Sequence, residues 1–493
     1  MVNKSLDNKL YLTLQTKKIL ERVDEFGDKL YIEVGGKLFD DYHASRVLKG
    51  YEIDTKMKVL SKLKNKVEII IVINANDIQN AKIRSDIGLT YENDSLRLLD
   101  EFENRGLYVG SICITHYNHQ PLADIFRNKL TNLGIKSYLH YLIPNYPYDI
   151  DTILSDNGFG KNDYIETSRP IVCITAPGPG SGKMATCLSQ LYQENLRGVK
   201  AGYAKYESFP IWNLPLKHPV NLAYEAATAD LNDVNMIDYY HLENYGISAV
   251  NYNRDLEVFP ILKKIFDGIY GKSPYLSPTD MGVNMLGFAI TNDHNAQESS
   301  KQEIIRRYLD TMVSVKLGKL SNEAVDKIYV IMKTLNISID DRKCVKASLQ
   351  KANKTGSASV AIELTNGKII TGKQSELFEA ASAALINAIK YYAKIPDSMP
   401  LLSHAIIAPI QDLKTNKLNR VYKRLNLDEV LITLSITATT NAMAEKALEQ
   451  LSKLAGAQLH STVMLHPDDL EILKKLKIDV TTETNQDTKY LAR

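Results

Sequence analysis

The run from Pro170 to Thr186, Pro-Ile-Val-Cys-Ile-Thr-Ala-Pro-Gly-Pro-Gly-Ser-Gly-Lys-Met-Ala-Thr, is an apolar strand-like segment, a glycine loop and the start of an amphipathic helix. Phosphate binding needs this order, because glycines let backbone N–H groups converge on an anion and the helix start adds the positive end of its dipole. Gly178, Gly180, Ser181, Gly182 and Thr186 are candidate ligand-binding positions, and Lys183 is placed to reach outer phosphate oxygens. Against the pattern GxxxxGK[ST], Gly182 and Lys183 match, whereas Pro177 replaces the first glycine and Met184 the Mg²⁺-ligating Ser or Thr. These two departures set ordinary ATP hydrolysis against a specialised anion site. The plainer reading is a tight strand-to-helix connection that uses glycine for its backbone freedom alone.

Downstream, Arg197 to Glu207 reads as a second strand ending in Lys205. The layout from 170 to 207 resembles the opening of the dethiobiotin synthetase and cobyrinic acid amidating class of P-loop proteins. That resemblance implies a Lys205 that faces a carboxylate or phosphate of an acceptor, and a Glu207 that helps hold a divalent ion. Without it, the two form a surface ion pair at a strand end. Further on, helical spacing puts Glu225, Ala229 and Asp233 on one face with Asp230 at its edge. Glu207, Glu225 and Asp230 are the candidate ligands for Mg²⁺, a hard cation that prefers oxygen; the alternative is a solvated acidic face. A third group, Gly35-Gly36-Lys37-Leu-Phe-Asp40-Asp41-Tyr-His43-Ala-Ser-Arg46, follows the first strand. Lys37 and Arg46 can clamp an anion, Arg by its bidentate fork, and Asp41 and His43 are a candidate acid–base pair. With Asp40 they also suggest a metal-dependent hydrolase; the structural alternative makes Asp40 or Asp41 a helix N-cap.

The elements that must position these residues are of the α/β class. Short β-branched runs, Lys29 to Val34, Val67 to Ile73, Leu107 to Ile114, Ser137 to Leu142 and Ile171 to Thr175, alternate with helical stretches at Asp54 to Lys64, Asp94 to Asn104 and Pro121 to Leu133. This predicts a parallel sheet covered by helices, with the glycine loop as a P-loop-like strand-loop-helix. From 221 to 353 the pattern is mainly helical, and from 354 to 493 a smaller α/β domain is expected. In the last section Asn366-Gly367 predicts a hairpin, Ser375 to Ala393 a helix, Glu429 to Ile436 a strand, Asn441 to Leu454 a helix and Gln458 to Leu465 a strand. The organisation expected is thus an anion-binding unit over 1–220, a helical subdomain over 221–353 and a C-terminal domain over 354–493.

The chain has 493 residues, 44% of them apolar and 24% charged, with a net charge of +2. This excludes a largely disordered chain and gives no global attraction to nucleic acid or anionic membrane. Neither a secretory leader nor a membrane-length apolar run is evident, so a cytoplasmic protein is expected. Cys113, Cys173, Cys187 and Cys344 are far apart and form no CxxC pair, which predicts reduced, packed thiols. The partner expected is a small anionic or phosphorylated ligand, with Mg²⁺ as cofactor and an unspecified nucleotide as one form of that ligand. A homo-oligomer is the expected assembly. Phosphoryl transfer or ATP-driven ligation is the leading reaction class, and a non-catalytic phospholigand-binding protein the alternative.

Four segments carry a wider resemblance: Gly35 to Leu48, Ala176 to Leu188, Tyr206 to Pro215 and His460 to Leu465. By these the chain resembles the bacterial family called domain of unknown function 1846, over essentially its whole length. The resemblance implies a bacterial cytosolic protein with an α/β N-terminal part, a helical middle and an α/β C-terminal part. It implies no activity and transfers no catalytic residue. It also implies that Pro177 and Met184 are features of the family.

Overall fold

The computed structural model describes residues 4–84 and 87–485. These form two compact units, one of residues 4–84, 87–225 and 233–300, the other of residues 226–232 and 301–485.

The first unit is built on six parallel strands: β1 (Lys29–Val34), β2 (Val67–Asn74), β3 (Tyr108–Tyr117), β4 (Ser137–Tyr141), β5 (Ile171–Thr175) and β6 (Ala201–Tyr206). Their order is β4-β3-β2-β5-β1-β6. The runs are nearly all apolar because both faces are covered. Ile69, Ile71 and Ile73 of β2 pack with Met57, Leu60, Leu98 and Phe102 from the helices Thr55–Lys62 and Tyr91–Glu103. The alternate residues Ile70 and Val72 pack with Leu188 and Leu191 of the helix Lys183–Leu196 and with Phe259 and Phe266 of the helix Asn253–Tyr270. Strand period two thus feeds two separate cores.

The strand order fixes where a ligand can lie. From β1 to β4 the chain steps toward one edge of the sheet; from β5 to β6 it steps toward the other. The neighbours β2 and β5 therefore send their outgoing connections apart and leave a crevice at their C-terminal ends, the usual ligand position in a doubly wound sheet.

Helices dominate the middle of the chain, beside a two-stranded antiparallel ribbon of Asn235–Ile237 and Val250–Tyr252 in the first unit. The second unit holds a mixed sheet in the order Ile369–Lys373, Ser359–Glu363, Gln458–Ser461, Asp479–Thr482, antiparallel except for the last pair. Val360, Ile362 and Leu459 pack on the alanine-rich helix Ala380–Ala393.

One element differs in kind from its expectation. Residues Glu429 to Ile436, predicted as a strand, lie within the helix Leu427–Ala438. Their β-branched composition suggested a strand, but Asn426 and Glu429 form a reciprocal capping box that starts a helix, and Val430 and Leu434, one turn apart, are both buried. The helix predicted over Asn441 to Leu454 is Ala442–Leu448 followed by a 3₁₀ turn at Leu451–Leu454, with Asn441 as N-cap. All four cysteines are buried and unlinked. Among the described residues no helix is long and apolar enough to cross a membrane.

Candidate functional site

The glycine loop joins β5 to the helix Lys183–Leu196 at the crevice between β2 and β5. Gly180 and Gly182 have φ of 73° and 84°, left-handed values that favour glycine, and Gly182 caps the helix. The loop carbonyls are tied back into the protein. Asn74 at the end of β2 donates its Nδ2 to Gly180 O (3.2 Å), and Thr115 in β3 donates its hydroxyl to Ser181 O (2.7 Å). The Ser181 hydroxyl donates to Gly178 O at 2.6 Å, so it closes the loop internally. A trans peptide directs N–H opposite to C=O, so these anchors turn the Ser181 and Gly182 amides away from the sheet strands that hold the carbonyls. The first intrahelical bond runs from Thr186 N to Gly182 O, which leaves the N–H groups of Lys183, Met184 and Ala185 without an intrahelical acceptor. Pro177 and Pro179 contribute no N–H and stiffen the approach.

Beside the loop lies a cavity of about 350 Å³. Gly182, Ala185 and Thr186 form one side; Thr115 and His116 at the end of β3, His140 and Tyr141 at the end of β4 and the segment 142–146 form the other. Thr186 is fully buried, and its hydroxyl has no nitrogen or oxygen partner; its polar neighbour is the Cys113 thiol. His140 is buried, with Nε2 3.2 Å from Asp163 O, and burial pushes its pKa from 6.5 down to about 4. Burial also lowers His116. The loop and this cavity share one sheet edge.

A second polar group occupies the ends of β1 and β6. Lys205 Nζ lies 2.6 Å from Asp255 Oδ2 and 3.2 Å from Glu207 Oε2. Burial alone would lower its pKa, but the charges of Asp255, Glu207 and Glu33 outweigh it and hold the ammonium above its usual range. Glu33 in β1 is itself buried and accepts from the Tyr203 hydroxyl at 2.7 Å. Burial raises its pKa, partly offset by the positive charges of Lys205 and Lys183. Lys183, at the first position of its helix and half-buried, is thus linked electrostatically through Glu33 to Lys205.

The remaining sequence candidates separate. Asp41 is an N-cap, accepting from Ala44 N at 3.1 Å, and its Oδ2 is 3.4 Å from the buried Lys56 ammonium. His43 packs edge-on against Phe209 and Tyr224, with ring centroids 5.2 and 5.3 Å away. Lys37 is exposed after β1, and Arg46 sits in the last turn of the short helix Tyr42–Val47. The acidic helical face at Glu225 does not form, because the helix Pro219–Ala227 ends and Asn232 turns with φ of 60°. Glu225 accepts from Asn235 N and Nδ2 at 3.2 and 3.0 Å, and Asp230 is exposed. Among the described residues no group of three or more His, Cys, Asp or Glu side chains is placed to hold a metal ion. Glu33, Asp255 and His140 were missed by sequence reasoning. Glu33 alone had a signal, an acid inside the otherwise apolar run Leu30 to Val34.

Two family models match the chain: Domain of unknown function DUF1846, N-terminal, over residues 4–336, and Domain of unknown function DUF1846, C-terminal, over residues 340–491. A UPF0371 protein of Streptococcus pneumoniae (strain Hungary19A-6) is 54% identical over 481 residues, covering 98% of this chain and 97% of the relative. UPF0371 protein stu1377 of Streptococcus thermophilus (strain ATCC BAA-250 / LMG 18311) matches to the same extent, 54% over 481 residues and the same shares of each chain. With matches over nearly its full length, the chain belongs to the DUF1846, or UPF0371, family.

Proposed function

We propose that this protein binds a small phosphorylated ligand at the glycine loop, with Lys183 on the phosphate oxygens, and uses it in phosphoryl transfer or ATP-driven ligation. One observation carries the reading: a glycine loop at the divergence of β2 and β5, its carbonyls tied back by Asn74 and Thr115, beside a cavity of about 350 Å³. Outward amides, a helix start and a lysine supply what an anion needs. In this reading Lys205 orients an acceptor carboxylate or phosphate as a fixed cation; its bonds to Asp255 and Glu207 keep it protonated and rule it out as a nucleophile. Mg²⁺ would arrive on the ligand's phosphates, the usual mode for an ion that keeps several waters.

A non-catalytic binding protein is the second reading, favoured by Met184 at the position of the metal-ligating hydroxyl. The two separate on purified protein with a nucleoside triphosphate and Mg²⁺. Phosphate or diphosphate release that disappears in Lys183→Ala supports the enzyme. Saturable binding without turnover, lost in the same variant, supports the binding protein. Absence of binding by any phosphate compound refutes both.

A further inference from the structure

The cavity beside the glycine loop has a chemistry of its own. Among the described residues that line it there is no Asp, Glu, Lys or Arg. Its two histidines are both held below their usual range by burial, so the wall is uncharged near neutral pH. Four of its polar side chains, Thr115, His116, His140 and Asn162, already bond within the protein. Asn162 accepts from Tyr141 N at 2.8 Å and donates to the Ser189 hydroxyl at 2.9 Å, while Thr115 is committed to Ser181 O. The apolar part of the wall comes chiefly from Tyr146, Phe159, Ile143 and Pro144. The Thr186 hydroxyl remains without a nitrogen or oxygen partner.

These features discriminate between the organic groups a phosphorylated ligand can carry. A sugar or polyol brings several hydroxyls, each needing a partner, whereas Thr115, His140 and Asn162 of this wall are already committed. A second charged group would lie unpaired against an uncharged surface. A planar heterocycle needs only flat apolar walls and one or two hydrogen bonds, and a cavity of about 350 Å³ falls within the usual range for such sites. Gly182, Ala185 and Thr186 belong both to the anion loop or its first helical turn and to the cavity wall, so ring and phosphate can be held by one ligand.

We propose that the cavity takes the base of a nucleoside phosphate whose phosphates lie on the glycine loop. The proposal rests on the phosphate-binding reading above and adds to it the class of the ligand.

Titration calorimetry with the full-length protein tests it, using ATP, GTP, CTP and UTP against inorganic tripolyphosphate, and AMP against ribose 5-phosphate, all with Mg²⁺. At least one nucleoside triphosphate should bind roughly 10- to 100-fold more tightly than tripolyphosphate, the range a single stacked base contributes. Leu142→Trp, which fills the cavity from the wall opposite the loop, should bring that nucleotide down to the tripolyphosphate affinity. Unchanged tripolyphosphate binding by this variant shows that its loop is folded, and His116→Ala, a smaller change in the same wall, should lower the ratio in the same direction. If every nucleotide binds no more tightly than tripolyphosphate, or if ribose 5-phosphate equals AMP, the base site is refuted and the anion site stands. If neither nucleotides nor tripolyphosphate bind, the anion site itself is refuted, and this inference with it.

Discussion

His140 offers a quantitative check on the cavity wall. It is 4% exposed, and burial drives its pKa from 6.5 to about 4. Its surroundings give the charged form little help: Nε2 lies on the backbone oxygen of Asp163, whose carboxylate is engaged by Leu139 N at 2.8 Å, and the Cys113 thiol is adjacent. Between these pH values the unfolded side chain is protonated and the native one is neutral. Lowering the pH through this window therefore favours the unfolded chain, and the stability present above pH 6.5 is lost as pH falls toward 4. At about 1.4 kcal/mol per factor of ten, the full loss is roughly 3 kcal/mol, and about 2 kcal/mol of it is gone by about pH 5. Urea unfolding at pH 7 and pH 5 measures this, followed by the fluorescence of Trp212, the only tryptophan and part of the same unit. Other groups titrate as well: burial lowers His116 but raises Glu33 and Asp233, which act with the opposite sign. The comparison that counts is with His140→Gln, which keeps a donor for Asp163 O and does not titrate. The wild type should lose about 2 kcal/mol more than this variant between pH 7 and pH 5. An equal loss in both would refute the buried, neutral histidine and with it the uncharged cavity wall.

Two further outcomes test the local architecture. A Cβ on Gly35 would lie 2.1 Å from Glu207 Cγ, so Gly35→Ala should cost on the order of 1–3 kcal/mol in chemical unfolding, and pairing it with Glu207→Ala should recover most of that loss. Asn426→Ala removes half of the capping box and should cost about 1 kcal/mol in the second unit, read from its thermal transition; no change would argue against the helix Leu427–Ala438.

The parallel sheet was legible because its strands are buried on both faces and written as unbroken apolar runs. The glycine loop was legible because an anion site of this kind is local in sequence. The segment at 429–436 misled because Val430, Ile432, Thr433 and Ile436 have strand-like side chains, whereas the reciprocal Asn426–Glu429 cap and the one-turn spacing of Val430 and Leu434 favour the helix. What could not be read was everything assembled across the sheet. Asp255 reaches Lys205 from fifty positions further along the chain, and His140 lines one cavity with the glycine helix although two strands lie between β4 and β5. The Asp41 and His43 pair illustrates the converse: proximity in sequence put one residue at a helix cap and the other in an aromatic cluster.

The four buried cysteines have a practical consequence. Burial raises every one of their thiols above the usual range, Cys173 to about 12, and none is exposed to reagent in the folded chain. Thiolate is the reactive form, so the native protein is close to silent toward maleimides and disulfide reagents. A single cysteine introduced on its surface would therefore be labelled alone, without first removing the natural ones. Conversely, slow release of the native thiols would time the opening of each unit, with Cys113, Cys173 and Cys187 reporting on the one and Cys344 on the other.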